Sequence, residues 1–256
     1  MGAAAAAGAF AVVVWLGYRG LFDITYAQSI VDDLLDGLVV TLIAVAVVIP
    51  VGFVVGFSFG WARTTRSWVL RATGTTYVEF FRSMPPLVLI VFSSLVISLL
   101  LRTYLYVEDP FAIALGVGIL ALALHSGSYQ AEIVRAGILS VPTGQVEAAE
   151  ALGLTRMQTM FRVTLPQAFR VSLPALGNEF AVVIKDTSLI SAIGGLEVSF
   201  AGSALVRGAI ELSLNHVFII WVEVALLYFL LTTIVTVTVR KVENRYKVPG
   251  LEAAAL

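Results

Sequence analysis

The stretch Glu147–Pro166, EAAEALGLTRMQTMFRVTLP, decides how the rest of the chain is read. It is polar and helix-forming, and it lies between runs that are almost entirely apolar. After Pro142, Thr143 and Gly144, every residue from Gln145 to Leu152 except Val146 is a strong helix former, and Gly153 offers a left-handed stop. Thr155 stands three residues before Gln158, the spacing at which an N-cap hydroxyl and an N3 amide satisfy each other's backbone donors. A second helix is therefore expected to run from there until Pro166 removes a donor. Two short helices joined by a glycine turn and clamped between membrane spans make a compact knob suited to docking on a soluble partner.

The surroundings are membrane spans. Of 256 residues, 59% are hydrophobic and 13% charged, and the mean hydropathy is +0.95, too apolar for a soluble fold of this length. The near-neutral net charge implies no nucleic-acid partner. Without cysteine there are no disulfides, thiol chemistry or Cys-based metal sites, and His125 and His216 have no ligand spacing around them. None of Lys185, Lys241 and Lys247 follows glycines in a phosphate-cradling loop, so ATP must be handled by another chain.

Five spans are expected: Gly37 to Trp61, Tyr77 to Leu101 interrupted by Pro85 and Pro86, Phe111 to about Ala136, Ser172 to about Ile193, and His216 to Val239. The alanine-rich stretch Gly2 to Leu16 is a candidate extra span and lacks the basic region of a cleaved signal. Tyr18 to Asp36 is polar and acidic and reads as an extracellular loop. Residues 1–36 thus form an N-terminal segment, 37–247 a transmembrane domain with a coupling loop at 140–171, and 248–256 a tail. Gly52, Gly56 and Gly60 recur every four residues and mark a face where another backbone can approach closely. Placing the knob in the cytoplasm puts Arg63, Arg66, Arg71, Arg156, Arg162, Arg170, Arg240, Lys241, Arg245 and Lys247 inside, against Arg19, Arg102 and Arg207 outside.

Ionisable and polar groups within spans are candidates for a transport path. His125, Ser126, Ser128, Tyr129, Glu132 and Arg135 cluster on the third span, most of them at helical spacing. Glu132 and Arg135 read equally as an i,i+3 pair near the interface. Asn178, Lys185 and Ser188 follow on the fourth span, where Lys185 either pairs with Asp186 or faces the path. Arg82 either pairs with Glu79 or presents its charge to an anionic substrate. Glu223 is a lone carboxylate in an apolar run and calls for a donor from a neighbouring helix.

The knob resembles the EAA loop of ABC importer permeases: Glu147, Ala148, Ala149, Gly153, Val163, Leu165 and Pro166 match its spacing, with Val163 in place of isoleucine. LHSGSYQAEIVRAGILSVPTGQ (124–145), LPQAFRVSLPALGNEFAVVIKDTSLISAIGGLE (165–197) and FRSMPPLV (81–88) look like the polar amino-acid branch. The resemblance implies an all-α membrane permease working by alternating access, with Glu147, Ala148, Ala149, Gly153, Leu165 and Pro166 coupling it to ABC ATPase subunits. It also implies a second permease copy or a sister permease, an extracellular solute-binding protein, and no cofactor on this chain, ATP and magnesium residing on the ATPase. Arg82 and Lys185 favour glutamate as substrate. An ion-coupled carrier or channel is the rival class; it leaves the knob without a purpose, and no matching broken-helix halves are visible.

Overall fold

The computed structural model describes residues 23–105, 109–209 and 214–246, with a few helical positions between 8 and 15. The described residues are helical nearly throughout. In order they form α1 (Ile24–Ala62), α2 (Trp68–Arg82), α3 (Pro86–Phe92), a π-helical stretch (Ser93–Ile97), α4 (Ser98–Leu105) and α5 (Pro110–Leu139). There follow α6 (Thr143–Ala151), α7 (Arg156–Thr159), a second π-helical stretch (Met160–Thr164), α8 (Leu165–Asp186), a 3-10 helix (Thr187–Ile193), α9 (Val198–Ala209) and α10 (Leu214–Tyr246). Among the described residues, four helical runs are long and apolar enough to cross a membrane: Ile24–Ala62, Pro86–Tyr104, Phe111–Leu139 and Leu214–Arg245. A fifth crossing results if Arg156–Ile193 and Val198–Arg207, bent by 48°, count as one broken span. The optional span over Gly2 to Leu16 falls almost entirely outside the described residues.

Several expected boundaries move, each for a local reason. The acidic stretch before Gly37 is helical from Ile24, because Asp23 accepts the Tyr26 N–H at 3.1 Å as an N-cap. Ala27, Ile30 and Leu34 then form a buried stripe at i, i+3 and i+7, while Asp32, Asp33 and Asp36 stay exposed. The second span begins at Pro86, not Tyr77. Proline at the first helical position loses no intrahelical bond there, and α2 is a separate helix ending where the Ser83 N–H donates to Glu79 O. Pro166 does not end its helix. In the π-helical turn before it the Leu165 N–H reaches back five residues to Met160 O, and this wider winding admits the proline ring.

The chain packs as two compact units, one of Met1–Ala46, Ile90–Gly118 and Ile184–Ile234, the other of Val47–Leu89, Ile119–Val183 and Val235–Leu256. In the first, Ala27, Ile30, Leu34, Val198, Ile219, Ile220 and Val224 make the core. α1 lies so close to the start of α9 that a Cβ on Gly37 would stand 3.0 Å from the backbone of Glu197 and Val198. Glu197, fully buried, accepts the N–H groups of Ser199 (2.8 Å) and Phe200 (2.9 Å) and the hydroxyl of Tyr228 (2.5 Å). It thereby caps α9 and ties it to α10.

In the second unit the glycine face behaves as its spacing predicts. A Cβ on Gly52 would lie 2.8 Å from Gln130 Nε2, on Gly56 2.7 Å from Gln130 Cβ, and on Gly60 2.6 Å from Ala131 O. α1 and α5 are therefore in backbone contact, the packing that small residues permit where lipid supplies no hydrophobic drive. Below this contact Val134, Ile138, Val141 and Ala168 form a core with Phe57, Trp61, Met160 and Leu165.

Candidate functional site

The knob is built by its own local chemistry. α6 ends in a Schellman motif: the Gly153 N–H donates to Glu150 O (3.0 Å) and the Leu154 N–H to Ala149 O (3.2 Å), with Gly153 left-handed at φ +86°. Thr155 and Gln158 form the expected reciprocal box, Gln158 N–H to Thr155 Oγ1 at 3.3 Å and Thr155 N–H to Gln158 Oε1 at 2.8 Å. Gln167 on α8 donates to Gln145 on α6 at 2.6 Å and so fastens the knob to the span behind it. Ala149 is the buried anchor, whereas Glu147, Ala148 and Gly153 are exposed and Pro166 lies on the surface beside half-buried Leu165. Leu152 is 85% exposed and Met157 56%, an apolar tip on a polar element. Beneath it a cleft of about 570 Å3 is walled by Thr64, Arg66, Glu147, Glu150, Arg156 and Met157. This combination of a rigid frame, exposed leucine and methionine, and flanking charge suits a protein groove.

The polar residues of the third span divide. Glu132 is held by Arg63 at 2.5 Å and by Arg135, so its carboxylate is engaged in an ion triad near the end of α5. The Ser128 hydroxyl turns onto His125 O at 2.6 Å, and its side chain is completely buried. His125 is 5% exposed, with Nδ1 at 3.0 Å from Phe81 O. Within this chain the His125 and Ser128 side chains point into helix packing and the Glu132 carboxylate into an ion pair.

What remains accessible lies beside them. Arg82 does not pair with Glu79; its guanidinium is exposed and stands 5.1 Å over the Tyr129 ring, which also meets His125 at 5.2 Å. Ser126 donates to Glu179 Oε1 at 2.7 Å and accepts from Gln130 Nε2 at 3.0 Å. Gln130 is fully buried, and its Oε1 has no partner among the described residues. Glu179 is half-buried and its neighbour Asn178 exposed. Ser126 and Tyr129, three apart on α5, thus each meet one charged side chain, the Glu179 carboxylate and the Arg82 guanidinium.

Sequence reasoning missed Glu179 although the rule for intramembrane charges applies to it directly. It also missed Glu197, whose signal was a carboxylate placed just before an apolar helical run. In the first unit, Lys185 is exposed and forms no salt bridge with Asp186, and Ser188 donates to Lys185 O at 2.7 Å. Glu223 lines a small apolar groove with Val31 and Leu34, and its Oε2 meets no donor among the described residues.

Residues 49–248 match the family of the binding-protein-dependent transport system inner membrane component. The chain is 38% identical over 187 residues to the L-cystine transport system permease protein of Bacillus subtilis (strain 168), covering 72% of this chain and 74% of that one. It is 34% identical over 192 residues to the glutamine transport system permease protein of Escherichia coli (strain K12), covering 74% and 81%. Among solved structures, an amino acid ABC transporter with histidines superposes with a TM-score of 0.73 at 27% identity, covering 88% of this chain and 99% of that one. An inward-facing methionine ABC transporter gives a TM-score of 0.70 at 22% identity, covering 86% and 99%, a likeness of fold.

Proposed function

Because the chain belongs to the binding-protein-dependent transport system inner membrane components, in their polar amino-acid ABC permease branch, we propose that it forms half of an amino-acid path gated by an ATPase that docks on the α6–α7 knob. Membership makes it a multi-pass inner-membrane permease subunit, not the ATPase, with ATPase and binding-protein partners and no cofactor of its own. The finer proposal is that Glu147, Ala148, Ala149, Gly153, Leu165 and Pro166 transmit ATPase closure to the spans. A second copy or a sister permease completes the path about a two-fold axis, and the knob faces the cytoplasm.

The observation that supports the substrate reading is that α5 meets a guanidinium at Tyr129 and a carboxylate at Ser126. Arg82 over Tyr129 suits an α-carboxylate, and Glu179 on Ser126 suits an α-ammonium. Asn178 lies next to Glu179, while His125, Ser126 and Ser128 hold the frame behind them and Glu132 fixes its end. Lys185 and Ser188 are candidates from the first unit. A count of cations alone, Arg82 and Lys185, favours glutamate; Glu179 opposes a second substrate carboxylate and favours a neutral polar side chain such as glutamine. Alternating access follows if ATPase closure moves the knob, and through Gln145–Gln167 the span that carries Glu179.

The test is uptake of labelled glutamine, glutamate, cystine and arginine by proteoliposomes carrying the full complex. ATP-dependent uptake of one polar amino acid, weakened by Arg82→Gln and by Glu179→Gln, is expected. Uptake indifferent to both substitutions would overturn the zwitterion site.

A further inference from the structure

The second unit holds an apolar cavity that shares no wall residue with the proposed substrate site. Between α1, the end of α5 and the start of α8 lies a groove of about 310 Å3, walled by Phe53, Phe57, Val134, Ile138, Phe169 and Leu176. Its one polar wall group, Ser172, is already directed at Ile133 O at 3.4 Å. An aromatic ladder runs along this side of α1 to the knob: Phe53 and Phe57 are 6.2 Å apart, Phe57 and Trp61 6.1 Å, and Trp61 meets Phe161 edge-on at 5.8 Å. A polar solute has nothing to bind here. A hydrocarbon chain does, and the groove is about ten times the roughly 30 Å3 that one water takes up in the liquid, room for a segment of an acyl chain.

The charges beside the groove select the headgroup. Phe161 and Phe169, both about half exposed, are followed immediately by Arg162 and Arg170. Both arginines are exposed, and among the described residues neither has a salt-bridge partner. Arg162 and Arg170 do not line the groove but directly follow two of its phenylalanines in the helical run, so exposed guanidinium groups neighbour an apolar wall, a combination that matches an amphiphile whose head is an anion. We propose that this groove binds one acyl chain of an anionic phospholipid from the surrounding bilayer, with its phosphate on Arg162 and Arg170. Phe161, Leu165 and Pro166 line the groove and belong to the helical run that begins at the Thr155–Gln158 box. The bound lipid therefore wedges the helical run that starts at α7 against α1 and α5, and, on the reading that the knob docks the ATPase, its occupancy tunes coupling.

The experiment uses the complete complex in nanodiscs with phosphatidylglycerol carrying a photoactivatable acyl chain, compared with phosphatidylcholine carrying the same chain. Labelling is expected on the peptides holding Phe53 and Phe57 and those holding Phe161 and Phe169, and to be stronger with phosphatidylglycerol. Arg162→Gln and Arg170→Gln should each cut that preference about fivefold, with Arg162→Lys and Arg170→Lys retaining most of it. Substrate-stimulated ATP hydrolysis should fall in pure phosphatidylcholine. Equal labelling by the two lipids, labelling spread evenly over the lipid-facing helices, or a preference unmoved by the glutamine variants would overturn the proposal. So would efficient bis-maleimide linking of two permease copies through Phe169→Cys, since a second copy would then cover the groove.

Discussion

Gly153 offers a clean way to test the knob. A Cβ there would meet nothing within 4 Å, so a substitution acts only through the backbone, held at φ +86°. An L-residue in this region costs about 1–2 kcal/mol, and a β-branched one more. If the turn relaxes instead, the strain is relieved but the two capping bonds from Gly153 and Leu154 are lost, at about 1 kcal/mol each. By either route Gly153→Val should shift the local equilibrium of the knob by about 2 kcal/mol, a factor of about thirty. The expected order of function is Gly, then Asn, which tolerates the left-handed region, then Ala, then Val. The assay is ATP hydrolysis by the reconstituted complex, stimulated by substrate-loaded binding protein. Stimulation should fall in that order while the amount of inserted permease stays constant. A valine variant with normal stimulation, or an alanine variant worse than valine, would refute the reasoning.

Other outcomes follow from single contacts. Glu179→Gln should raise the KM for uptake about ten- to a hundredfold, a charged hydrogen bond being worth about 1.5–3 kcal/mol, and leave basal ATP hydrolysis intact; direct uptake kinetics check it. Gly56→Val, whose Cβ would stand 2.7 Å from Gln130 Cβ, should cost about 1–3 kcal/mol or more through overpacking. It should lower the thermal midpoint in detergent, whereas Gly116→Ala, with open space around it, should not. Glu197→Ala strips the acceptor from three donors and should cost about 3 kcal/mol; Glu197→Gln, which keeps an acceptor oxygen, should lie nearer wild type in the same melt.

The knob was legible in the sequence because its structure is local. A capping box needs only Thr155 and Gln158 three apart, and a left-handed stop only Gly153. The close approach of α1 was legible for a similar reason, since glycines four apart can share only one helix face. The polar path was less so. Which way Ser128 points depends on whether its hydroxyl finds His125 O or a cavity, and periodicity cannot distinguish them. From sequence Glu132 reads either as a path group or as the i,i+3 partner of Arg135, and nothing in the spacing announces Arg63, which takes its other oxygen. Pro166 reads as a helix end by propensity, and only the π-helical winding before it lets the helix continue.

On the proposed function, this chain moves its substrate only when an ATPase works through the knob. The direct measurement is labelled amino-acid uptake by proteoliposomes containing the permease, its ATPase and the binding protein, with and without enclosed ATP, for the wild type and Glu147→Ala. Uptake should require ATP and binding protein, persist when ion gradients are collapsed, and be lost with Glu147→Ala although the permease is inserted. Uptake by the permease alone, driven by an ion gradient and indifferent to the ATPase and to Glu147, would contradict it.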